Sequence, residues 1–463
     1  MEQSMKTWHV ASKCGLRCSV ARTTLTLVLA SLAACGGYDN PPPPACDLVS
    51  RQTALHDYFF DWYFWYALSP FPLPGSSPTI DEYFNALLYT GTDPTFPADR
   101  FSFHQSTQSF VQYFGNAQIL GYGLAVADLE VTTPAPQPAA PLWVRYVEAR
   151  SPAAAAGVVR GDRVVSVNGQ SASDMIAADD FSVFTPSAAG DTISVVLDNG
   201  AGQRSVDIVA AVFSLTPLPT AAVVTSPGGR TMGYLVVKDM LDQAVNPMVS
   251  AFATFASQGV TELVLDLRYN TGGLVSVGRL LASYVNPGLT AGRTYTALLF
   301  SDKRSGNNAV FSFRSPANSL ALTRVYVLQG PRTCAAAEQV VNALTPFVDV
   351  VQIGDTSCGK PVGYSPVEDG CGETYGVINF ETVNANNQGR YFDGLAPRCT
   401  IAEDFSKALG ALDEPLLAAA RNHADGIGCP ALDIGARQPP LGQRLHRWLG
   451  PAREGERPAM IPG

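Results

Sequence analysis

The sequence predicts an α+β fold of several domains: a small helical N-terminal cap, a β-rich middle domain and a core of alternating strands and helices. Three observations predict it. At 463 residues the chain is longer than one ordinary hydrophobic core organises. Between residues 118 and 213, short β-like runs (ILGYGLAVA, LWVRYVEA, DRVVSVNG, TISVVLDN, RSVDIVAAV) are separated by turn residues. From Met232 onward, buried-strand patterns alternate with helical ones. The composition agrees, because 46% hydrophobic and 15% charged residues supply real cores and exclude a disordered chain. With 31 basic against 40 acidic residues, a net charge of −9 and no basic stretch to track phosphates, nucleic acid is excluded as a partner.

Residues 1–34 read as a signal peptide. Lys6, Lys13, Arg17 and Arg22 precede an apolar run from Thr23 to Ala34 that is too short for a permanent membrane helix. Residues 35–47 are a linker, since GGYDNPPPPA holds no core former. Residues 48–117 form the cap. There Leu55, Phe59, Trp62 and Tyr66 recur at helical spacing, and such an aromatic stripe is expected to pack as core. Residues 118–213 form the β domain, with Gly161–Asp162 and Asn168–Gly169 as turns and the Pro-rich TTPAPQPAAP as an internal loop. Residues 214–425 form the core. MGYLVV, VTELVLDL, VYVLQ, VDVVQIG and YGVINFETVNA are read as strands, and Leu241–Gln258, a stretch from Leu274, Ala335–Leu344 and Asp404–Asn422 as helices. Residues 426–463, rich in Pro and Arg, are expected to be a mostly loose tail.

Of nine cysteines, Cys14 and Cys18 fall in the signal segment. Cys46, Cys334, Cys358, Cys371, Cys399 and Cys429 follow Cys35, and an even number suits disulfides in an oxidising compartment. No cysteine or histidine spacing outside the signal segment suggests a metal site. In LVLDLRYNTGG a buried strand runs into a glycine pair that opens a helix, a turn able to aim N–H groups at an oxyanion. Asp266 and Arg268 within it read as exposed or ion-paired.

Several segments resemble known families. Leu32-Ala33-Ala34-Cys35 resembles the lipobox of bacterial lipoproteins. That resemblance implies a lipid on Cys35 and membrane attachment in the cell envelope, with Gly36 leaning toward the outer membrane. GYGL (Gly121, Tyr122, Gly123, Leu124) together with SPAAAAGVVRGDRVVSVNG resembles a PDZ domain of bacterial periplasmic proteases. The implied role is capture of a terminal carboxylate by the N–H groups of that loop while the ligand strand adds to the sheet edge.

The NTGG turn, GPRTCAAAEQVVNAL and VVQIGDTSCGKPVGY, occurring in that order with the PDZ-like segment, resemble the C-terminal processing (tail-specific) serine peptidases, whose core is crotonase-like. Aligned on Glu338, the resemblance puts Ala335 at the nucleophile position, Lys360 as the base 25 residues later, and Gly272, Gly273 and Ala336 in the oxyanion hole. It implies a protein or peptide substrate and no cofactor. Tyr364 stands where the family often has glutamine. An alanine has no oxygen to attack a carbonyl, and loss of the nucleophile costs on the order of a millionfold in rate. Two readings follow: an endopeptidase disabled by a Ser-to-Ala change, or a natural pseudoprotease that serves as a peptide-binding or scaffold lipoprotein. Cys334 is not expected to substitute, since its neighbouring position aims it about 100° away; a bridge to Cys358 is expected instead, with Cys371 joined to Cys399 and Cys46 to Cys429. A lysine base working near neutral pH requires its pKa to fall by about three units.

Overall fold

The structure is a computed structural model that describes residues 45–127, 142–178, 180–429 and 459–462. The signal segment, Cys35, most of the linker, the TTPAPQPAAP loop and residues 430–458 of the tail lie outside the described residues. Among the described residues no helix is long and apolar enough to cross a membrane.

The cap opens with a helix, Leu48–Trp62, whose N-cap Asp47 accepts from the Ser50 N–H. Its inward face buries Leu55 and Phe59. The helix stops at Trp62, so Tyr66 lies in a following turn and it is Tyr63 and Trp65 that complete the buried aromatic cluster. The cap is stitched into the core, because its strand Phe103–Ser106 pairs antiparallel with Glu373–Gly376. Residues 373–383 therefore do not form one strand. Glu373–Gly376 serves the cap, while Phe380–Val383 turns away to pair with Thr294–Phe300 and Val362–Gly363.

The middle domain is an antiparallel sheet in the order Leu124–Ala127, Leu142–Val147, Arg163–Val167, Thr192–Asp198, Gln203–Val209, with Gln170–Ser171 alongside Arg163–Val167. Alternate residues such as Ile193, Val195 and Leu197 are buried, the period-2 signature of a strand with one solvated face. Asn168 and Gly169 make the expected tight turn, both with positive φ.

The core sheet runs Thr220–Thr225, Thr231–Val236, Glu262–Asp266, Arg324–Gln329, Asp349–Gly354, Cys399–Thr400, parallel after the first pair. Its central strands, Thr231–Val236, Glu262–Asp266 and Arg324–Gln329, are buried almost throughout, as parallel strands covered on both faces must be, while the antiparallel edge strand Thr220–Thr225 is partly exposed. Of the two readings for Asp266 and Arg268, exposed or ion-paired, the second holds: both are buried and paired with each other. Arg268 bridges Asp266 and, through two parallel N–H···O bonds of 2.9 Å, Glu414. Glu414 also caps the last helix, Pro415–Ala424. That helix is shorter than the periodicity predicts, because Asp404–Glu414 forms turns before Pro415 sets its first turn.

Among the described residues three disulfides form. Cys334–Cys358 is as expected, but Cys46 pairs with Cys371 and Cys399 with Cys429. The reason is tertiary. The first helix lies against the turn at Asp369, held by Arg51, which carries Cys46 to Cys371. Cys399 sits on the edge strand of the core sheet, and the last helix ends beside it. Peptide mapping without reduction should recover the Cys46–Cys371 and Cys399–Cys429 linked fragments; a Cys46–Cys429 fragment would contradict this topology.

Candidate active site

The strand Glu262–Asp266 ends at the turn Leu267–Thr271, which delivers the short strand Gly272–Leu274 and then the helix Val275–Ser283. Gly272 and Gly273 have φ of +103° and +132°. No other residue fits there: a Cβ on Gly272 would come within 2.1 Å of the Ala459 carbonyl oxygen, and one on Gly273 within 2.4 Å of the Met240 carbonyl oxygen. The same Cβ on Gly272 would lie 2.9 Å from the Ala335 Cβ and 3.0 Å from the Ala336 nitrogen. The structure thus brings Gly272, Ala335 and Ala336 around one point.

Ala335 is the N-cap of the helix Ala336–Leu344, with φ +52° and ψ −115°. A Cβ-bearing residue in this region stores strain, on the order of 1–3 kcal/mol, and surrounding contacts must hold it there. The contacts come from Glu338 at the third helical position. Its fully buried carboxylate accepts from the Ala335 N–H (2.9 Å), the Lys360 N–H (2.8 Å), the Gly359 N–H (2.7 Å) and the Ser357 hydroxyl (2.5 Å). One side chain therefore ties the helix start to the segment that carries Lys360, and the Cys334–Cys358 disulfide ties the same two segments again. Cys334 is consumed in that bridge and is no thiolate. The two cysteines and Glu338 converge closely enough to suggest a metal site, but both sulfurs are spent on the disulfide.

Lys360 is completely buried. Its ammonium nitrogen lies 5.4 Å from the ring centres of both Phe101 and Tyr364. Burial pulls its pKa from 10.5 down to about 7, against the upward pull of Asp99 and Glu338. Burial also pushes Glu338 up to about 7, although its four donors favour the charged form. Near neutral pH the lysine therefore holds its proton only in part.

The sequence reading missed part of this surround. Asp99, Arg100 and Phe101 come from the cap: Asp99 accepts from the Tyr63 hydroxyl at 2.7 Å, and Arg100 donates to the Phe392 carbonyl at 3.0 Å. No motif marks them, because they reach Lys360 only through the packing of the cap. Glu338 carried its signal openly as a glutamate three residues after a helix start.

Two further expectations need correction. The Gly272 N–H donates to the Asn270 side chain at 2.8 Å, so it is already engaged and is not free for an oxyanion. The tail is not loose throughout, since Ala459–Ile461 is a buried strand parallel to Gly272–Leu274. In the middle domain, Gly121–Leu124 joins two strands, and its Tyr122 and Gly123 carbonyls accept from Ala153 and Glu148.

Residues 231–399 match the family described as Peptidase family S41, and residues 143–181 match a PDZ domain. The core is a peptidase family S41 domain. The S41 core and PDZ domain together resemble a crystal structure from Bacteroides fragilis assigned to the S41 proteases, with 26% identity and a TM-score of 0.64 over 81% of this chain and 97% of that one. Carboxyl-terminal-processing peptidase 1 of Arabidopsis thaliana, a chloroplast protein, is 28% identical over 236 residues, which are 50% of this chain and 46% of its own. Carboxy-terminal processing protease CtpB of Bacillus subtilis is 24% identical over 276 residues, 58% of this chain and 54% of its own. The chain spans about half the length of the curated relatives it matches.

Two outcomes test the electrostatics of the S41 site. Glu338→Gln puts amide hydrogens where N–H groups need an acceptor and should destabilise the fold by about 3 kcal/mol in urea titrations. For Lys360, the unfolded chain holds its proton up to 10.5 and the folded chain only to about 7. Between these values unfolding takes up a proton, so stability rises with pH. Lys360→Met should abolish that rise and stabilise the protein at pH 7 by on the order of 4 kcal/mol, as read from unfolding curves at pH 7 and 10.

Proposed function

We propose that this fold is that of a serine-type endopeptidase of the C-terminal processing kind, carrying alanine at its nucleophile position and therefore binding peptides without cleaving them. A single observation carries this reading: Ala335 is held at φ +52° at a helix start that Glu338 ties to the backbone of a buried lysine, Lys360, whose pKa is pulled down to about 7. Neither feature helps an alanine. Both serve a hydroxyl, which needs a sharp helix-start turn to project it and an uncharged amine to take its proton. With serine at 335, the oxygen would attack a peptide carbonyl and Lys360 would accept its proton. The Gly273 and Ala336 N–H groups would hold the oxyanion, the lysine would return the proton to the leaving amine, and water would then release the acyl group.

A shallow surface cleft supports a route for substrate. It is lined by Phe103, Gln112, Tyr113, Ile119 and Leu120 and reaches Tyr364 beside Lys360. Its PDZ-side wall leads directly into the Gly121–Leu124 loop, the place for a C-terminal tail to be recruited. Attachment to the cell envelope through a lipid on Cys35 rests on the Leu32–Cys35 motif. The pseudoprotease reading keeps the same binding surfaces and differs only in never having had the serine.

Ala335→Ser should restore hydrolysis of unfolded casein and fluorogenic peptides, and Ala335→Ser/Lys360→Ala should remain silent. Because the neutral amine is the base, kcat/KM of the revertant should rise about tenfold per pH unit below 7 and level off above it. A folded, correctly oxidised revertant that shows no hydrolysis at any pH would favour the pseudoprotease.

A further inference from the structure

The strand Ala459–Ile461 lies in the site itself. It runs parallel to Gly272–Leu274, with Gly272 opposite Ala459, Gly273 opposite Met460 and Leu274 opposite Ile461. Ala459 N–H donates to the Thr271 carbonyl at 2.9 Å, and in a parallel ladder of this register the Ala459 carbonyl then faces the Gly273 N–H. That carbonyl also borders the point shared by the Ala335 Cβ and the Ala336 nitrogen. On the other side, the Met460 carbonyl accepts from the Tyr364 N–H at 3.0 Å. The segment is thus a strand added between Gly272–Leu274 and Gly363–Tyr364, with the Ala459–Met460 peptide bond beside the nucleophile position.

Its side chains alternate as a bound peptide's must. Met460 is fully buried on the helix side, its sulfur 3.6 Å from the Gln339 amide nitrogen. Ala459 and Ile461 point the other way into the cluster of Leu274, Val362 and Tyr364. A purely structural strand would have no need to set a carbonyl before the Gly273 N–H at the edge of the Ala335 position.

We propose that residues 459–461 are an intramolecular pseudosubstrate: they occupy the peptide groove in the resting chain and block it to other peptides. The groove is a site for extended peptides with a small residue, then an unbranched apolar residue such as methionine, then an aliphatic one. This rests on the peptidase reading above for the identity of the site, and the binding it asserts needs no catalysis.

The test uses the full chain with Ala335 in place and a fluorescein-labelled peptide of residues 457–463, Arg-Pro-Ala-Met-Ile-Pro-Gly. Met460→Glu in the chain puts a charge into a dry pocket and should release the segment. Fluorescence anisotropy should then show the labelled peptide binding the Met460→Glu chain at least tenfold more tightly than the unchanged chain, and the same peptide carrying Glu for Met should not bind. Ala459→Pro, which deletes the N–H donated to Thr271, should act alike if Met460→Glu does not fold. Equal binding to the unchanged and released chains, whether strong or absent in both, would overturn the proposal. So would failure of both variants to fold, which would make the segment an obligatory strand. In the Ala335→Ser background, Met460→Glu should raise peptide hydrolysis at least tenfold. If Ala335→Ser/Met460→Glu binds the peptide but never cleaves it, the peptidase reading fails and the pseudosubstrate stands.

Discussion

The buried carboxylate of Glu338 is the interaction on which the rest of the site depends. It sits where a helix start, a disulfide and the lysine segment meet, and it accepts from donors on both sides of that junction. A helix start turned through φ +52° would relax without a partner for the Ala335 N–H, and the Gly359 and Lys360 N–H groups would lose the acceptor they share with it. The disulfide limits how far these two segments separate, and directional hydrogen bonds fix their orientation: the Cys358 N–H donates to the Thr333 carbonyl at 3.0 Å, and the carboxylate gathers donors from both segments. Lys360 is buried because this junction is rigid, and its lowered pKa is a consequence of that burial.

Much of this was readable from local pattern. Runs such as VTELVLDL and VYVLQ announce buried parallel strands, and Gly272–Gly273 announces a turn that no side chain tolerates. The Cys334–Cys358 bridge followed from two segments already placed together by the resemblance. What escaped was set by packing between distant parts of the chain. Cys46 reaches Cys371 across 325 residues because Arg51 and Asp369 pair, and nothing near either cysteine records that. Asp99 and Phe101 look like loop residues until the cap docks against Lys360. Ala459–Ile461 is three residues in a Pro- and Arg-rich tail, too short for periodicity to register and a strand only because Gly272–Leu274 offers it an edge.

The three lobes are also fastened to one another at the same edge. Lys238 pairs with Glu148 of the PDZ domain at 2.9 Å and with its neighbour Asp239 at 3.0 Å, while Tyr113 of the cap donates to Asp239 at 3.0 Å. Two residues later, Met240 donates to the Gly272 carbonyl and accepts from Leu274, holding the glycine strand on the side away from Ala459. Arg160 of the PDZ domain likewise reaches Tyr269 and Glu403, just before the glycine pair. These charges are largely buried, so loss of Lys238 would leave two neighbouring carboxylates, Glu148 and Asp239, without their cation beside the strand Gly272–Leu274. The geometry of Gly272–Leu274 is therefore fixed jointly by core, cap and PDZ domain.

That joint fixing bears on why a strand, rather than a loop, fills the groove. An edge held flat by contacts on its far side presents unpaired N–H and C=O groups in a fixed row, and such a row pairs with whatever extended chain is at hand. A segment of the same polypeptide competes at an effective concentration in the millimolar range, so even a weak three-residue match outcompetes free peptides. The match here is more than weak: Met460 fills a dry pocket and every carbonyl of Ala459 and Met460 has a backbone N–H before it. Displacing it requires a ligand that makes the same ladder and gains a further contact beyond it, since equal pairing alone leaves the tethered segment ahead.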